Sequence, residues 1–388
     1  MLSVAGSPNL SPQPPSPLRR GGLRTQTGAA MQRRRAIFGR RSRAAVGWAL
    51  GLFVAVQLGT GYVLDYVTPL VRFPSAKAVL AVARQNPTPP DFAFFGSSRT
   101  GAAIYHEDLD RELAQPGKPW PRTISMAVPA ADGITMDFLL DHLLATGPVP
   151  KWAVIEVSPE TVNEENTWWM PLHVLRQLNW TDVPACARPA VKGNAAWPYL
   201  ESRLVPTYTY RKQIVGQTKS AVRDWLSKPA PAGPGGRPTG GGSDPTPLPL
   251  NWTDIIRAPE KTSTDQLVEN SRLGAETTIR KSLRDYHVGG PAADGLERML
   301  GKCRSSGIKV ILLGIPTCSP HRGGYTPAIE AAYDAYIQRL AAEYGCRYVD
   351  GRAWVPDALF RDTLHVDVDG GKLFTRRLAR EVLKKLPE

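Results

Sequence analysis

The sequence has 388 residues, of which 42% are hydrophobic and 8% aromatic, and a formal net charge of +13. This length and apolar content predict a large globular domain and exclude a wholly disordered chain. Residues 1–43 hold nine arginines and no acidic residue, so the other 345 residues carry only +4, which argues against a nucleic-acid-binding surface on the domain.

The predicted elements begin with an apolar segment directly after this basic tail. Residues 44–64 are 21 residues without a charge, close to the roughly 20 needed to cross a bilayer as a helix. Arginines clustered on one flank indicate, by the positive-inside rule, a cytoplasmic N-terminus and an extracytoplasmic remainder anchored to the cell membrane. We therefore predict a disordered tail over 1–43, a single transmembrane helix over 44–66 and a domain over 67–388. A cleaved signal peptide is the alternative, but its apolar core is usually only about 7–15 residues long.

Apolar runs of strand length then alternate with amphipathic helical patterns. The runs are 92–96, 123–128, 152–158, 309–315 and 346–351. Continuous apolar strands separated by helices predict an α/β fold, with a parallel sheet covered on both faces. The alternation is interrupted at about 165–290, which we interpret as an insertion into one domain. Its Pro/Gly-rich stretch 228–250 is predicted to be a disordered loop.

Two polar motifs flank this α/β pattern. The sequence Gly-Ser-Ser-Arg, residues 96–99, closes the first apolar run and contains Ser98 and Arg99. The second motif, Asp362-x-x-His365, follows the last run. An Asp three residues before a His can orient the ring and stabilise its protonated form, which leaves the other ring nitrogen to act on a nucleophile. The carboxyl ends of parallel strands share one edge of the sheet, where such folds bind ligands. The alternatives are a helix N-cap for Ser98 and a surface contact for the Asp–His pair.

With these two motifs at its ends, the α/β pattern of residues about 90–165 and 295–388 resembles the SGNH (GDSL-like) hydrolase superfamily. The resemblance implies a three-layer αβα domain with a flavodoxin-like, doubly wound sheet. It also implies that Ser98 is the nucleophile, that His365 is the general base and that Asp362 orients this base. The membrane anchor and the Gly-Ser-Ser variant are most similar to extracytoplasmic members such as alginate O-acetylation and D-alanyl-lipoteichoic acid transfer proteins.

The two other motif blocks of that family, which supply oxyanion donors, are altered in this chain. The second block reads SMAVPAADG, and no Gly-x-Asn-Asp is present. The resemblance then leaves the backbone N–H groups of Ser98 and Ala130 as donors, with Ser158 or Asn163 as a substitute. Arg99 is either a ligand for an anionic substrate group or an exposed surface residue.

The other notable residues suit structural roles. Trp168, Trp169 and Trp180 fit either a sugar-stacking platform or packing between helices. No Cys or His cluster has metal-ligand spacing, and HVDVDGG lacks the last ligand of a calcium loop, so neither a metal nor a cofactor is predicted. The histidines expected to be structural or exposed are His106, His142, His173, His287 and His321.

Three functions fit these features. The first is a serine esterase or O-acyltransferase acting on acyl groups of a cell-envelope polysaccharide, with a membrane-bound O-acyltransferase as a candidate partner. The second is a catalytically inert SGNH-like module that binds polysaccharide within an acylation complex. The third is a membrane-tethered scaffold. The intact Ser98, Asp362 and His365 favour the first function, and the altered blocks keep the other two open.

Overall fold

The computed structural model describes residues 23–85, 88–117, 121–227, 277 and 281–386. Helix α1, Leu23–Tyr62, continues into a π-helical turn over Val63–Val67. Among the described residues, Ser42–Val67 is the stretch long and apolar enough to cross a membrane, with a mean hydropathy of 1.5. It coincides closely with the predicted span. The helix starts earlier, inside the segment predicted to be a tail, because Ala, Gln and Arg favour helix.

A parallel sheet lies at the centre of the compact unit that begins at Thr60. Its strands are β1 Phe92–Gly96, β2 Thr123–Ala127, β3 Trp152–Val157, β4 Lys309–Gly314 and β5 Arg347–Asp350. The strand order is β2-β1-β3-β4-β5, and every pairing is parallel. Each strand falls within one of the predicted apolar runs, so the predicted α/β class with a parallel sheet is confirmed.

Helices cover both faces of this sheet. The described helices after α1 are α2 Pro74–Arg84, α3 Ser98–Ala103, α4 His106–Leu113, α5 Gly133–Thr146, α6 Met170–Arg176, α7 Val183–Lys192, α8 Ala196–Leu204, α9 Pro206–Thr209, α10 Arg211–Ser227, α11 Gly290–Ser305, α12 Ser319–Arg322, α13 Pro327–Tyr344 and α14 Val368–Glu381. Alternate strand residues point to opposite layers, so Ala93 and Phe95 pack with α2, α5, α11 and α13. Phe92 and Phe94 pack with α3, α4 and α14 on the other face.

Helices α6–α10 occupy the region predicted to be an insertion. A small apolar cluster that includes Ile134, Met170 and Val174 packs α6 and α7 against the start of α5. The Pro/Gly-rich stretch 228–250 lies outside the described residues. All four cysteines of the chain are buried and unpaired: Cys186, Cys303, Cys318 and Cys346.

The carboxyl edge of the sheet gathers the loops that carry the predicted motifs. Ser98 follows β1, Ala130 follows β2, Ser158 follows β3 and His365 lies between β5 and α14. Because β1 lies between β2 and β3, the chain crosses over it and the strand order reverses at β1 and β3. In open parallel sheets a crevice forms outside the strand ends at such a point.

Candidate active site

The turn after β1 places two serines in different roles. Ser97 is the N-cap of α3, and its Oγ accepts a hydrogen bond from the backbone N–H of Arg99 at 3.1 Å. Ser98 is the first residue of that helix, and its half-buried side chain takes no part in capping. The cap predicted as an alternative role for Ser98 therefore belongs to Ser97, and the hydroxyl of Ser98 is left for another partner.

That partner is His365. The distance from Ser98 Oγ to His365 Nε2 is 2.8 Å. On the other side of the ring, His365 Nδ1 lies 2.9 Å from Asp362 Oδ2 and 3.0 Å from Asp362 Oδ1. An ionised carboxylate only accepts hydrogen bonds, so Nδ1 donates to Asp362 and Nε2 is left to accept the proton of Ser98. Ser98, His365 and Asp362 therefore form one hydrogen-bonded chain.

The backbone of its own loop fixes the carboxylate of Asp362. Asp362 Oδ1 accepts the N–H groups of Leu364 and His365, each at 2.8 Å. Burial acts to raise the pKa of Asp362, but hydrogen bonds and charge from His365, with the two backbone N–H groups, lower it to about 2. Asp362 is therefore an anion at any pH well above 2, and its carboxylate can only accept the hydrogen bond from His365 Nδ1.

A buried carboxylate on β3 holds the turn around Ser98. Glu156 Oε2 accepts the N–H of Ser97 at 2.7 Å and the hydroxyl of Thr100 at 2.6 Å. The hydroxyl of Ser97 donates to Glu156 Oε1 at 2.9 Å. This close approach requires glycine at position 96, since a Cβ there would lie 2.1 Å from Thr100 Oγ1 and 2.6 Å from Glu156 Oε2. Residues on both sides of Ser98 are thus tied to one carboxylate.

Arg99 is not the exposed surface residue that one interpretation of the sequence predicted. Its side chain is only 10% exposed, and Nη2 lies 2.9 Å from Glu156 Oε1. Arg99 Nη2 also donates to Ser158 Oγ at 2.8 Å, and Nη1 lies 4.0 Å from Glu160 Oε2. Burial acts to lower the pKa of Arg99, but Glu156 and Glu160 raise it. Arg99 is thus a nearly buried cation beside two carboxylates, Glu156 and Glu160.

The ion-pair network continues from Arg99 to Glu160 and the buried His321. His321 Nε2 is hydrogen-bonded to Glu160 Oε1, which also accepts the hydroxyl of Tyr325 at 2.6 Å. Burial acts to raise the pKa of Glu160, but His321, Arg99 and Tyr325 together hold it below its ordinary value. Behind the turn that carries Ser98 there is thus a buried, charged scaffold.

The structure gives Asn163 a structural role in place of the oxyanion role considered for it. Its amide donates to the carbonyls of Ser282 and Arg284 at 2.8 and 3.3 Å, and its Oδ1 accepts the N–H of His287 at 3.0 Å. The nitrogen and the oxygen of this amide both hold the segment that leads into α11. The hydroxyl of Ser158 is occupied as well, because its Oγ accepts from Arg99 at 2.8 Å and donates to Thr161 Oγ1 at 3.4 Å.

The backbone N–H groups of Ser98 and Ala130 remain available as hydrogen-bond donors. No described carbonyl or side chain accepts a hydrogen bond from either of them. Ala130 has a φ of 62°, the left-handed conformation that non-glycine residues rarely adopt. Such strain is concentrated at functional sites. The two groups follow neighbouring strands, since Gly96 pairs with Ala127.

The other predicted positions have structural contacts. His173 Nε2 lies 2.8 Å from Asp132 Oδ2, and Asp132 is the N-cap of α5. Trp180 packs edge-on against Tyr199 with ring centroids 5.6 Å apart, which matches the packing alternative for this tryptophan. Trp168 and Trp169 contact each other, and Trp168 stays half exposed.

The sequence reasoning missed Glu156 and Glu160. A signal for the first was present, because Glu156 is the single charged residue inside the apolar run WAVIEVS. A lone carboxylate in a strand buried on both faces must be hydrogen-bonded or paired. Its partners come from the serine motif, because β1 pairs with β3 in the sheet.

No protein-family model matches the chain, and no curated protein is similar to it in sequence.

Proposed function

We propose that this protein is a membrane-anchored serine esterase or O-acyltransferase that acts on acyl groups of a cell-envelope polysaccharide. The observation that supports this most is the continuous hydrogen-bonded chain from Ser98 through His365 to Asp362. The strand order β2-β1-β3-β4-β5 is that of flavodoxin-like folds, which supports the resemblance to SGNH hydrolases. The substrate class, and the partnership with a membrane-bound O-acyltransferase, rest on that resemblance.

The chemistry follows from the donors and acceptors in the site. His365 Nε2 accepts the proton of Ser98 as Ser98 Oγ attacks the acyl carbonyl carbon, and the carbonyl electrons move to its oxygen. The N–H groups of Ser98 and Ala130 are the donors available to that oxyanion. Collapse of the intermediate breaks the ester C–O bond, and His365 returns its proton to the departing alcohol.

The acyl-enzyme on Ser98 is then released by the reverse sequence. Water or a sugar hydroxyl gives a proton to His365 and attacks the acyl carbon, and Ser98 Oγ leaves and regains its proton. With water as the acceptor the reaction is hydrolysis, and with a sugar hydroxyl it is acyl transfer. Throughout, Asp362 stabilises the imidazolium that forms in each step.

Covalent labelling tests this proposal directly. We expect a fluorophosphonate to phosphonylate Ser98 of the full-length protein in detergent, because His365 Nε2 activates its hydroxyl. Mass spectrometry of the peptide that contains Ser97 and Ser98 locates the adduct. Heat-denatured protein, which lacks the His365 contact, should not react. An adduct on Ser97 would move the nucleophile by one residue, and a folded protein without any adduct would favour the inert binding module.

The orientation of the anchor is a second prediction. The arginines of residues 1–43 and the apolar span Ser42–Val67 predict a cytoplasmic N-terminus and an external catalytic domain. A C-terminal alkaline phosphatase fusion should therefore be active, and a C-terminal green fluorescent protein exported by the same route should be dark. The opposite pair of results would overturn this topology, and fusion protein free in the medium would indicate cleavage.

A further inference from the structure

Helix α8 has its apolar side outward and its charged side inward. Trp197, Leu200 and Leu204 recur at helical spacing and are 72%, 45% and 66% exposed. Ser202 and Arg203 point the other way and are buried. A helix on the surface of a water-soluble domain shows the reverse pattern. Tyr208 of α9, which is 58% exposed, follows closely in the sequence. We name Trp197, Leu200, Leu204 and Tyr208 the α8–α9 face.

The α8–α9 face is tied to the end of the apolar span by buried ion pairs. Arg203 Nη1 pairs with Asp65, and Arg72 Nη1 lies 3.1 Å from the same carboxylate. All three side chains are nearly inaccessible, so these pairs are a rigid attachment and not a passing surface contact. Arg72 also donates to the carbonyl of Leu178 at 3.2 Å, which holds the chain between α6 and α7.

The start of α9 lies next to Gly61. A Cβ at Gly61 would lie 3.8 Å from the ring of Pro206, the first residue of α9. Gly61 belongs to the span Ser42–Val67, and Tyr62 and Tyr66 near its end are 63% and 53% exposed. The α8–α9 face therefore lies beside the point where the span ends, which is the level of the membrane–water boundary if the span crosses a bilayer.

The residue types at this place fit a bilayer surface. Trp and Tyr are enriched at membrane–water boundaries because their rings have an apolar body and a polar edge. Cations stand next to the rings: the guanidinium of Arg211 lies 4.2 Å from the ring centroid of Tyr208, and Lys212 is also exposed. Lys and Arg beside such rings can reach lipid phosphates. An aromatic face bordered by cations thus matches lipid better than it matches water.

We propose that the α8–α9 face inserts into the interfacial layer of the membrane and holds the catalytic domain against the bilayer. This rests on the proposed membrane anchoring and not on the proposed catalysis. Membrane insertion explains why the apolar residues of α8 are exposed while its Arg203 is buried in an ion pair with Asp65. The consequence for function is that the carboxyl edge of the sheet is kept at a fixed orientation to the membrane.

Depth-dependent fluorescence quenching tests the proposal. The chain's own cysteines are all buried, so a cysteine introduced at an exposed position can be labelled selectively. Trp197→Cys and Leu204→Cys are made in the full-length protein, labelled with an environment-sensitive fluorophore and reconstituted into phosphatidylcholine–phosphatidylglycerol vesicles. Leu373→Cys on α14, 40% exposed on the opposite face of the sheet, is the matched control.

Lipids with a nitroxide near the carbonyl end of the acyl chain should quench the label at 197 and 204 several-fold more than at 373. Equal quenching at all three positions, in vesicles that carry the protein on flotation, would overturn the proposal. So would a label shielded from water but unaffected by lipid nitroxides, which would indicate a protein partner. Protein that does not float would overturn the anchoring and the proposal with it. Ester hydrolysis is assayed in the same samples, so a failure of the catalytic proposal is seen separately.

Discussion

Replacing Ser98 or His365 by alanine should lower the turnover of an activated acetyl ester by roughly 10⁴- to 10⁶-fold. Each residue is useless without the other, because the hydroxyl of Ser98 is a weak nucleophile until His365 Nε2, 2.8 Å away, accepts its proton. The double variant should therefore be no slower than either single one. The measurement is the initial rate of p-nitrophenyl acetate hydrolysis by the full-length protein in detergent, with folding checked by circular dichroism.

Two neighbouring substitutions are the controls for this result. Asp362→Asn should cost as much as the alanine variants or less, since Asp362 orients and stabilises the base but does not contact the acyl group. Ser97→Ala should keep measurable activity, because Ser97 caps α3 and points to Glu156. A Ser98→Ala protein as fast as the wild type would exclude Ser98 as the nucleophile, and any observed hydrolysis would come from elsewhere.

The sheet could be predicted from the sequence because its apolar runs give a strong local signal, whereas Ser98, His365 and Asp362 were expected to act together mainly from the resemblance to SGNH hydrolases. An apolar run such as FAFFG can be buried on both faces only in the middle of a covered sheet. Parallel strands end at one edge, so polar motifs after the first and last strands lie at the same edge. Asp362 and His365 are close in sequence, and only their distance to Ser98 depended on the fold.

The scaffold behind the triad could not be predicted in the same way. Glu156 and Arg99 are far apart in sequence, and their pairing depends on the register of β1 against β3. Asn163 shows the opposite problem: an amide near a site looks like a donor, but its hydrogen bonds are used by Ser282 and Arg284. The sequence also could not predict that the apolar side of α8 points outward. Helical spacing shows which residues share one side of a helix, but not whether that side faces the core or the outside.

The second large effect is expected at Glu156, whose carboxylate is 2% exposed and accepts donors from three residues around Ser98: Ser97, Arg99 and Thr100. Glu156→Ala removes the carboxylate that these three residues share, and it leaves Glu160, 4.0 Å away, as the counter-charge of Arg99. Removing one partner of a buried ion pair costs about 3–5 kcal/mol of folding free energy. Chemical denaturation of the full-length protein measures this loss.

Activity should fall together with stability but for a separate reason. Once Ser97 and Thr100 are released from Glu156, Ser98 Oγ is free to shift, and a displacement of about 1 Å can cost roughly 10²-fold in rate. Glu156→Gln keeps the volume and some acceptor capacity but not the charge opposite Arg99. The double variant Glu156→Gln with Arg99→Gln removes both charges, so it should recover most of the lost stability. If the double variant were no more stable than Glu156→Gln alone, the unpaired charge of Arg99 would not be the cause. If Glu156→Ala kept the wild-type rate per folded molecule, Glu156 would support the fold without positioning Ser98.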